Sequence, residues 1–359
     1  MDKRLRNFDN LAFQQDLIHW YQQNKRDLPW RKTQDPYKIW VSEIMLQQTK
    51  VDTVIPYFHQ FIEKYPTPRA LAEADEQDVL KTWEGLGYYS RARNLQSAVR
   101  EVVASYDGNV PDAPDELGSL KGVGPYTKGA ILSIAFGQPA PAVDGNVMRV
   151  LARVLYIDDD IAKSSTKKQF EAYVAQLISK EDPSSFNQGI MELGALICTP
   201  KAPACLLCPV QQHCRAFAKG REQELPIKSK GKKQKIVPYV ALLIKNEQNQ
   251  YVIEKRAESG LLANLWQFPM VPIDEIGLEH IENWMFAEYG VRIHLGDEAG
   301  TLKHVFSHLI WQVNISYATT KQTETADDRI RFVNQNELES YPFPVSHQKM
   351  LQYIGKDVG

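Results

Sequence analysis

The chain has 359 residues, 43% hydrophobic and 24% charged, which suits an ordinary globular protein long enough for two domains with separate cores. Its net charge of -2 divides as -1 over residues 1–225, +5 over 226–237 and -6 over 238–359, which excludes a globally basic nucleic-acid binder. No stretch approaches the roughly 20 apolar residues of a membrane span, and MDKRLRNFDN lacks the apolar core of a secretory signal. The expectation is a cytoplasmic protein, nucleoid-associated if bacterial, with no membrane partner.

Residues 8–225 read as helices with short breaks. Apolar positions recur at helical spacing in Phe13, Leu17, Ile18 and Tyr21, in Val54, Tyr57, Phe58 and Phe61, and in Val147, Val150, Leu151 and Val154. Pro29, Pro36, Pro66, Gly85, Gly108 and Pro111 punctuate them. The segment LGSLKGVGPYTKGAILSIA at 117–135 predicts a helix, a glycine hairpin and a second helix. Gly122 and Gly124 are expected to adopt backbone geometry closed to other residues and to expose N–H groups that hold a DNA phosphate without reading a base.

All four cysteines, Cys198, Cys205, Cys208 and Cys214, fall in ICTPKAPACLLCPVQQHC. Reduced thiols at this spacing converge on one soft metal centre. Structural zinc usually takes two short knuckles, and here only Cys205 and Cys208 form one. A loop wrapped round a cubane iron–sulfur cluster fits better, with zinc still open.

PIKSKGKKQKIV at 226–237 carries five lysines and no acid and reads as a solvated linker within reach of phosphate. From Pro238 the pattern turns to strand-like runs, YVALLI, YVIEKR and VFSHLIWQVNISYA, with one helical segment, LEHIENWMFAEYG, between them. The architecture expected is therefore multidomain: an all-α domain over 1–225, the linker 226–237, and an α+β domain over 238–359.

Several of these motifs, in this order, resemble one family. LKGVGPYTKGA resembles the helix-hairpin-helix of the DNA glycosylase superfamily, AVDGNVMRVLAR its Gly/Pro-rich loop with an aspartate, and the cysteine spacing its iron–sulfur members. WVSEIMLQQTKVDTVIPYF, WEGLGYYSRARNL and VDGNV together resemble the MutY-type adenine DNA glycosylases. The resemblance implies one 4Fe-4S cluster on the four cysteines of loop 198–214. It also implies a monomer that acts on duplex DNA holding 8-oxoguanine:adenine or guanine:adenine mispairs.

Residue by residue, the resemblance assigns acid catalysis to Glu43 and stabilisation of the cationic sugar to Asp144, supported by Tyr126 and Asn146. Glu43 lies among Ile39, Trp40, Val41, Ile44, Met45 and Leu46, surroundings that raise a carboxyl pKa toward neutrality. Asp144 precedes GNVMRVLARVL and also suits a helix N-cap, which would hold it ionised. Bifunctional relatives carry a lysine where this chain has Tyr126, which cannot form an imine, so base removal without efficient strand cleavage is implied. Lys128, two positions on, is a poorly placed amine; Lys121 stands where many relatives have proline.

Chemistry on a stacked base requires extruding it, as glycosylases do as a class. Arg26, Leu28, Trp30, Arg31 and Gln188 match positions around the extruded adenine. Gln48 and Tyr88 match positions that wedge into the gap beside the unpaired base, with Thr49 and Leu86 nearby. Lys201 and Arg215 flank the cysteine loop and are candidates for phosphate contact. In the C-terminal part, GLLANLWQFP and IENWMFAEYGV resemble the remnant of a Nudix domain. Asn283, Trp284 and Ala287 stand where an active box has arginine and glutamates, leaving Glu288, too few oxygen ligands for magnesium. Phe306, Ser307 and His308 match the loop that recognises 8-oxoguanine in this family.

Overall fold

The structure, a computed structural model, describes residues 4–229, 231 and 233–355. Its contacts define two compact units, Met1–Glu73 with Asn94–Lys230, and Ala74–Arg93 with Gly231–Gly359. This grouping differs from the division expected from sequence, because residues 74–93, helical in pattern, pack with the C-terminal part. The pairing is specific. Asn264 Nδ2 donates to Glu76 Oε1 (2.6 Å), Trp266 Nε1 to Gln77 Oε1 (2.9 Å), and the Phe343 N–H to Glu84 Oε1 (2.8 Å).

Among its described residues the first unit is helical. Helix Asn10–Asn24 is N-capped by Asp9, which accepts from the Ala12 N–H, and buries Phe13, Leu17 and Tyr21. Helix Val51–Lys64 buries Val54, Phe58 and Phe61, and Gly145–Val154 buries Val147, Val150, Leu151 and Val154. Phe13, Leu17, Val147, Val150, Leu151 and Val154 join Phe170, Val174, Phe186, Ile190 and Leu193 in one core. The 3.6-residue period seen in sequence thus becomes the buried stripe of each helix.

Helix Pro114–Ser119, a turn, and helix Pro125–Ile134 make the hairpin. Gly122 has φ +79°, and a Cβ there would lie 2.9 Å from that of Asn94. Gly124 departs from expectation. With φ -84° and ψ 176° it is in extended backbone open to any residue, and a Cβ would meet open space. Gly129 is needed for another reason, since a Cβ would fall 1.9 Å from the Pro141 carbonyl oxygen. That close approach lays helix Pro125–Ile134 against the segment leading into Asp144.

Of the expected linker, Lys230 and Lys232 lie outside the described residues. Its ends are less free than the composition suggests. The Ser229 N–H donates to Asp160 Oδ1 (3.1 Å) and the Ile161 N–H to the Ile227 carbonyl (3.0 Å), while Lys235 already begins a strand.

The second unit is built on a seven-stranded sheet: β1 Lys235–Asn246, β2 Gln250–Lys255, β3 Trp266–Gln267, β4 Met270–Pro272, β5 His294–Val305, β6 Leu309–Thr320 and β7 Ile330–Asn334. Its order is β3-β2-β1-β6-β5, with β4 also pairing β1 and β7 pairing β2. β1 runs parallel to β6 over Lys235↔Leu309 to Asn246↔Thr320. Ala241 and Leu243 face one core, and Val240, Leu242 and Ile244 the other, where helix Ile281–Tyr289 packs Ile281 and Met285. Burial on both faces explains the continuous apolar run YVALLI. VFSHLIWQVNISYA is not one strand: Val305 ends β5, Leu309 begins β6, and the Phe306 N–H donates to the Leu309 carbonyl (2.9 Å) across the turn.

Candidate active site

Helix Pro36–Leu46 begins at Asp35, whose side chain accepts from the Tyr37 N–H, with Pro36 in the first turn. It buries every residue from Ile39 to Met45, so the carboxyl of Glu43 is taken out of water and left 6% exposed. Tyr126, in the first turn after the glycine hairpin, donates its hydroxyl to Glu43 Oε2 at 2.6 Å. Burial pushes the Glu43 carboxyl up to about 7; the Tyr126 hydrogen bond opposes the rise and the charge of Asp144 adds to it. The Tyr126 hydroxyl is itself held well above its ordinary pKa by burial and by Glu43.

Asp144 does cap helix Gly145–Val154. Oδ1 accepts from the Val147 N–H (2.7 Å) and Oδ2 from Asn146 Nδ2 (2.8 Å). These donors favour the carboxylate, yet burial prevails and its pKa stands above the usual value, contrary to the expectation for a cap. Asn146 Oδ1 accepts from Arg149 Nη2 (2.7 Å), and Arg149 Nε reaches the Cys198 carbonyl (2.8 Å).

Glu43, Tyr126, Asp144 and Asn146 wall a cavity of about 190 Å³, together with Arg26, Leu28, Trp30, Arg31, Thr49 and Gln188. The catalytic and adenine-pocket candidates therefore come together. Lys128 instead packs its side chain 3.1 Å from where a Cβ at Gly118 would sit.

One residue in this wall has no place in the sequence reading. Glu192, on helix Pro183–Leu196, is 1% exposed and accepts from the Arg26 N–H and Nε (both 2.9 Å), Arg26 Nη2 (2.7 Å), and Arg31 Nη1 (3.0 Å) and Nη2 (2.9 Å). These bonds hold its pKa down at about 2 against the opposing effect of burial. The arginines expected to surround an extruded base line the cavity with two guanidinium hydrogen bonds each already given to a carboxylate. The signal was present: Glu192 sits in NQGIMELGAL, an acid among apolar residues like Glu43.

All four cysteines wall one pocket, with Val150, Val154, Leu193, Ile197, Pro203, Val210 and Phe217. Burial pushes the Cys208 thiol up to about 12 and raises Cys205 and Cys214. Arg153 Nη1 lies 3.2 Å from Cys198 Sγ. Among the described residues no group of three or more His, Cys, Asp or Glu is arranged to hold a single metal ion. Arg215, a phosphate candidate, donates to the Arg4 carbonyl (2.6 Å).

The gap-filling candidates divide between the units. Gln48, at φ +58°, and Thr49 follow helix Pro36–Leu46 in the first. Leu86, buried, and Tyr88, 46% exposed at φ +47°, belong to the second. There Tyr88 lines a cavity of about 310 Å³ with Phe306, Ser307 and His308. Phe306 packs edge-on to Trp311 (4.7 Å between centroids), while Ser307 and His308 are exposed at the hairpin tip. The surviving box carboxylate, Glu288, is engaged by Arg329 Nη1 (2.9 Å), whose Nη2 also donates to Asp327 Oδ2 (2.6 Å). A guanidinium thus satisfies it.

A helix-hairpin-helix whose Tyr126 meets the desolvated Glu43, with the capping Asp144 on the same cavity, fits a DNA glycosylase of the helix-hairpin-helix class. Residues 41–176 match the HhH-GPD superfamily of base excision DNA repair proteins, and residues 240–353 match the NUDIX domain. Among solved structures, a thermostable thymine-DNA glycosylase is 29% identical with a TM-score of 0.53, covering 58% of this chain and 97% of that one. A non-covalent endonuclease III–DNA complex gives 25% and 0.51, covering 61% and 99%.

Curated relatives narrow the class. Adenine DNA glycosylases of Rattus norvegicus (38% identical over 84% of this chain and 69% of the relative) and Homo sapiens (33%, 97% and 75%) match along most of the chain. That of Arabidopsis thaliana is 36% identical over 87% of this chain, which spans 58% of that relative. The chain belongs to the adenine DNA glycosylase family, DNA-binding enzymes of base excision repair.

Proposed function

We propose that this chain removes adenine from duplex DNA where it lies opposite 8-oxoguanine or guanine, hydrolysing the N-glycosidic bond with no or only weak strand cleavage. The observation that carries this reading is the Glu43–Tyr126 pair: a buried carboxyl held near neutrality at the wall of a cavity it shares with Asp144. A group poised there gives a proton to a departing base and then takes one from water. With the adenine extruded into the cavity, Glu43 protonates N7 and the C1′–N9 bond breaks toward an oxocarbenium-like sugar. Asp144 stabilises that cation and water adds to C1′, its proton passing to Glu43. Glycosidases divide such work between two carboxylates in the same way. Tyr126 stands beside Glu43, Lys128 packs against Gly118, and among the described residues no lysine lines the cavity, which supports base removal without efficient strand cleavage.

The cysteine pocket fits a 4Fe-4S cluster held by Cys198, Cys205, Cys208 and Cys214. Its donor set is four thiols in a largely apolar wall. Bound there, the cluster would act as a cross-link of the loop. Tyr88, Phe306, Ser307 and His308 supply stacking and hydrogen-bonding groups for the opposite base, and adenine, undamaged, is marked as an error by that partner alone. The protein works as a monomer, in the compartment that holds the DNA.

The test is a labelled duplex with adenine opposite 8-oxoguanine, assayed with and without alkali. Strand breaks that need alkali support the reading, breaks without it point to a lyase, and no release of adenine sinks it. Iron and sulfide with a visible absorbance band identify the cluster, whereas stoichiometric zinc in native protein would overturn it.

A further inference from the structure

Three carboxylates reach the cavity wall, and one is spent. Glu43 accepts from Tyr126, Asp144 from the start of its helix, but Glu192 receives five donors on two oxygens: Oε1 takes the Arg26 N–H, Arg26 Nε and Arg31 Nη1, while Oε2 takes Arg26 Nη2 and Arg31 Nη2. A carboxylate offers about four lone-pair directions, so Glu192 has nothing left for substrate. The donors it holds matter more. Arg31 is nearly buried, gives Nη1 also to the Arg26 carbonyl (3.0 Å), and lies over the Tyr21 ring at 5.4 Å. Its Nε finds no acceptor among the described residues. It is also the cation whose charge acts on Glu43.

We propose that Glu192 is a positioning residue for the reaction: it holds Arg26 and Arg31 through two guanidinium hydrogen bonds each, fixes both in the cavity wall, and prevents Arg31 from pairing with Glu43, the carboxyl that must carry the proton. The proposal rests on the catalytic reading above. The groups facing Glu43 are Tyr126 from helix Pro125–Ile134, Asp144 from the cap of Gly145–Val154, and Arg31 from the turn Pro29–Arg31. Arg26 and Glu192 stand behind Arg31. With Glu192 neutral, the nearly buried Arg31 and the half-buried Arg26 lose their counter-ion, and the carboxyl left for Arg31 to seek is Glu43. An ion pair there would hold Glu43 ionised, so the acid would be unavailable at the pH where it is needed.

The position of the pH limb separates this from a structural role. Glu43 must be protonated to act, so single-turnover adenine release falls as pH rises through its pKa. In Glu192→Gln this alkaline limb should move to lower pH by on the order of one unit, and Arg31→Gln in the same background should move it back. Arg31→Gln alone should move it above wild type. A Glu192→Gln enzyme with a slower rate and an unmoved limb overturns the proposal. Should Glu192→Gln fail to fold, Arg31→Gln decides, since a limb that stays or falls refutes it. A wild-type protein that releases no adenine would instead sink the catalytic reading.

Discussion

The cavity of the helical unit is walled by ionisable groups taken out of water, whereas that of the second unit is walled by a hairpin tip left in it. Glu43 and Glu192 are both nearly free of solvent, and burial raises the pKa of the first to about 7 while the paired arginines lower that of the second to about 2. Ser307 and His308 project from the turn between β5 and β6. Proton chemistry near neutrality requires a desolvated acid on a rigid element, and burial supplies it. Recognition of a base edge requires donors and acceptors that are still free. The same fold separates the two demands by burying one set and exposing the other.

The largest expected effect breaks the buried side. Glu43→Gln should lower single-turnover adenine release by about 10³-fold or more, while affinity for the mispaired duplex changes little. Stability should move the other way. A carboxyl raised from 4.5 to about 7 on folding binds more protons in the native state between those values, so its burial costs stability as pH rises through that window, in full above 7. Glu43→Gln removes a penalty of about 3 kcal/mol, and thermal melts at pH 8 and pH 5 should show a much larger gain at pH 8. Equal gains at both would refute the raised pKa.

Next comes the bond that opposes that rise. Tyr126→Phe deletes the 2.6 Å hydrogen bond, worth about 1.5–3 kcal/mol to a charged acceptor. The alkaline limb should move above its wild-type position near pH 7, with a loss in rate of roughly tenfold. An unmoved limb would mean that Tyr126 does not set the acidity of Glu43.

On the exposed side, Ser307→Ala and His308→Ala should each weaken the preference for 8-oxoguanine over guanine several-fold, as expected of about 1 kcal/mol per hydrogen bond. Their pH limbs should stay in place. A shift in the limb would break the division between the two cavities, and an unchanged preference would remove the reader assignment.

How far the sequence discloses each region follows from how local its determinants are. Glu43, Tyr126 and Asp144 are legible because each stands beside a strong local signal: an apolar helix, a glycine hairpin, a cap. Glu192 carries the same signal as Glu43, an acid ringed by apolar residues, but its meaning depends on Arg26 and Arg31, more than 160 positions away. Residues 74–93 read as one more helical segment, and only side-chain pairing with Asn264, Trp266 and Phe343 assigns them to the second unit. VFSHLIWQVNISYA has no glycine or proline to mark its turn, which the β5–β6 register imposes instead.

The smallest effect separates two glycines that look equivalent in KGVG. Gly122 is at φ +79° and a Cβ would crowd that of Asn94 at 2.9 Å, so Gly122→Ala meets both strain and a clash and should cost about 1–2 kcal/mol of stability. Gly124 has neither constraint, with extended backbone and open space where a Cβ would stand. Gly124→Ala should leave stability within about 0.5 kcal/mol. That open space, at the N-cap of helix Pro125–Ile134, is where the proposed phosphate contact of the hairpin would fall. A methyl there should weaken duplex binding a few-fold, without regard to the opposite base and without moving the alkaline limb. Loss of stability with unchanged binding would reverse the assignment and make Gly124, like Gly122, a residue required by the backbone instead of by DNA.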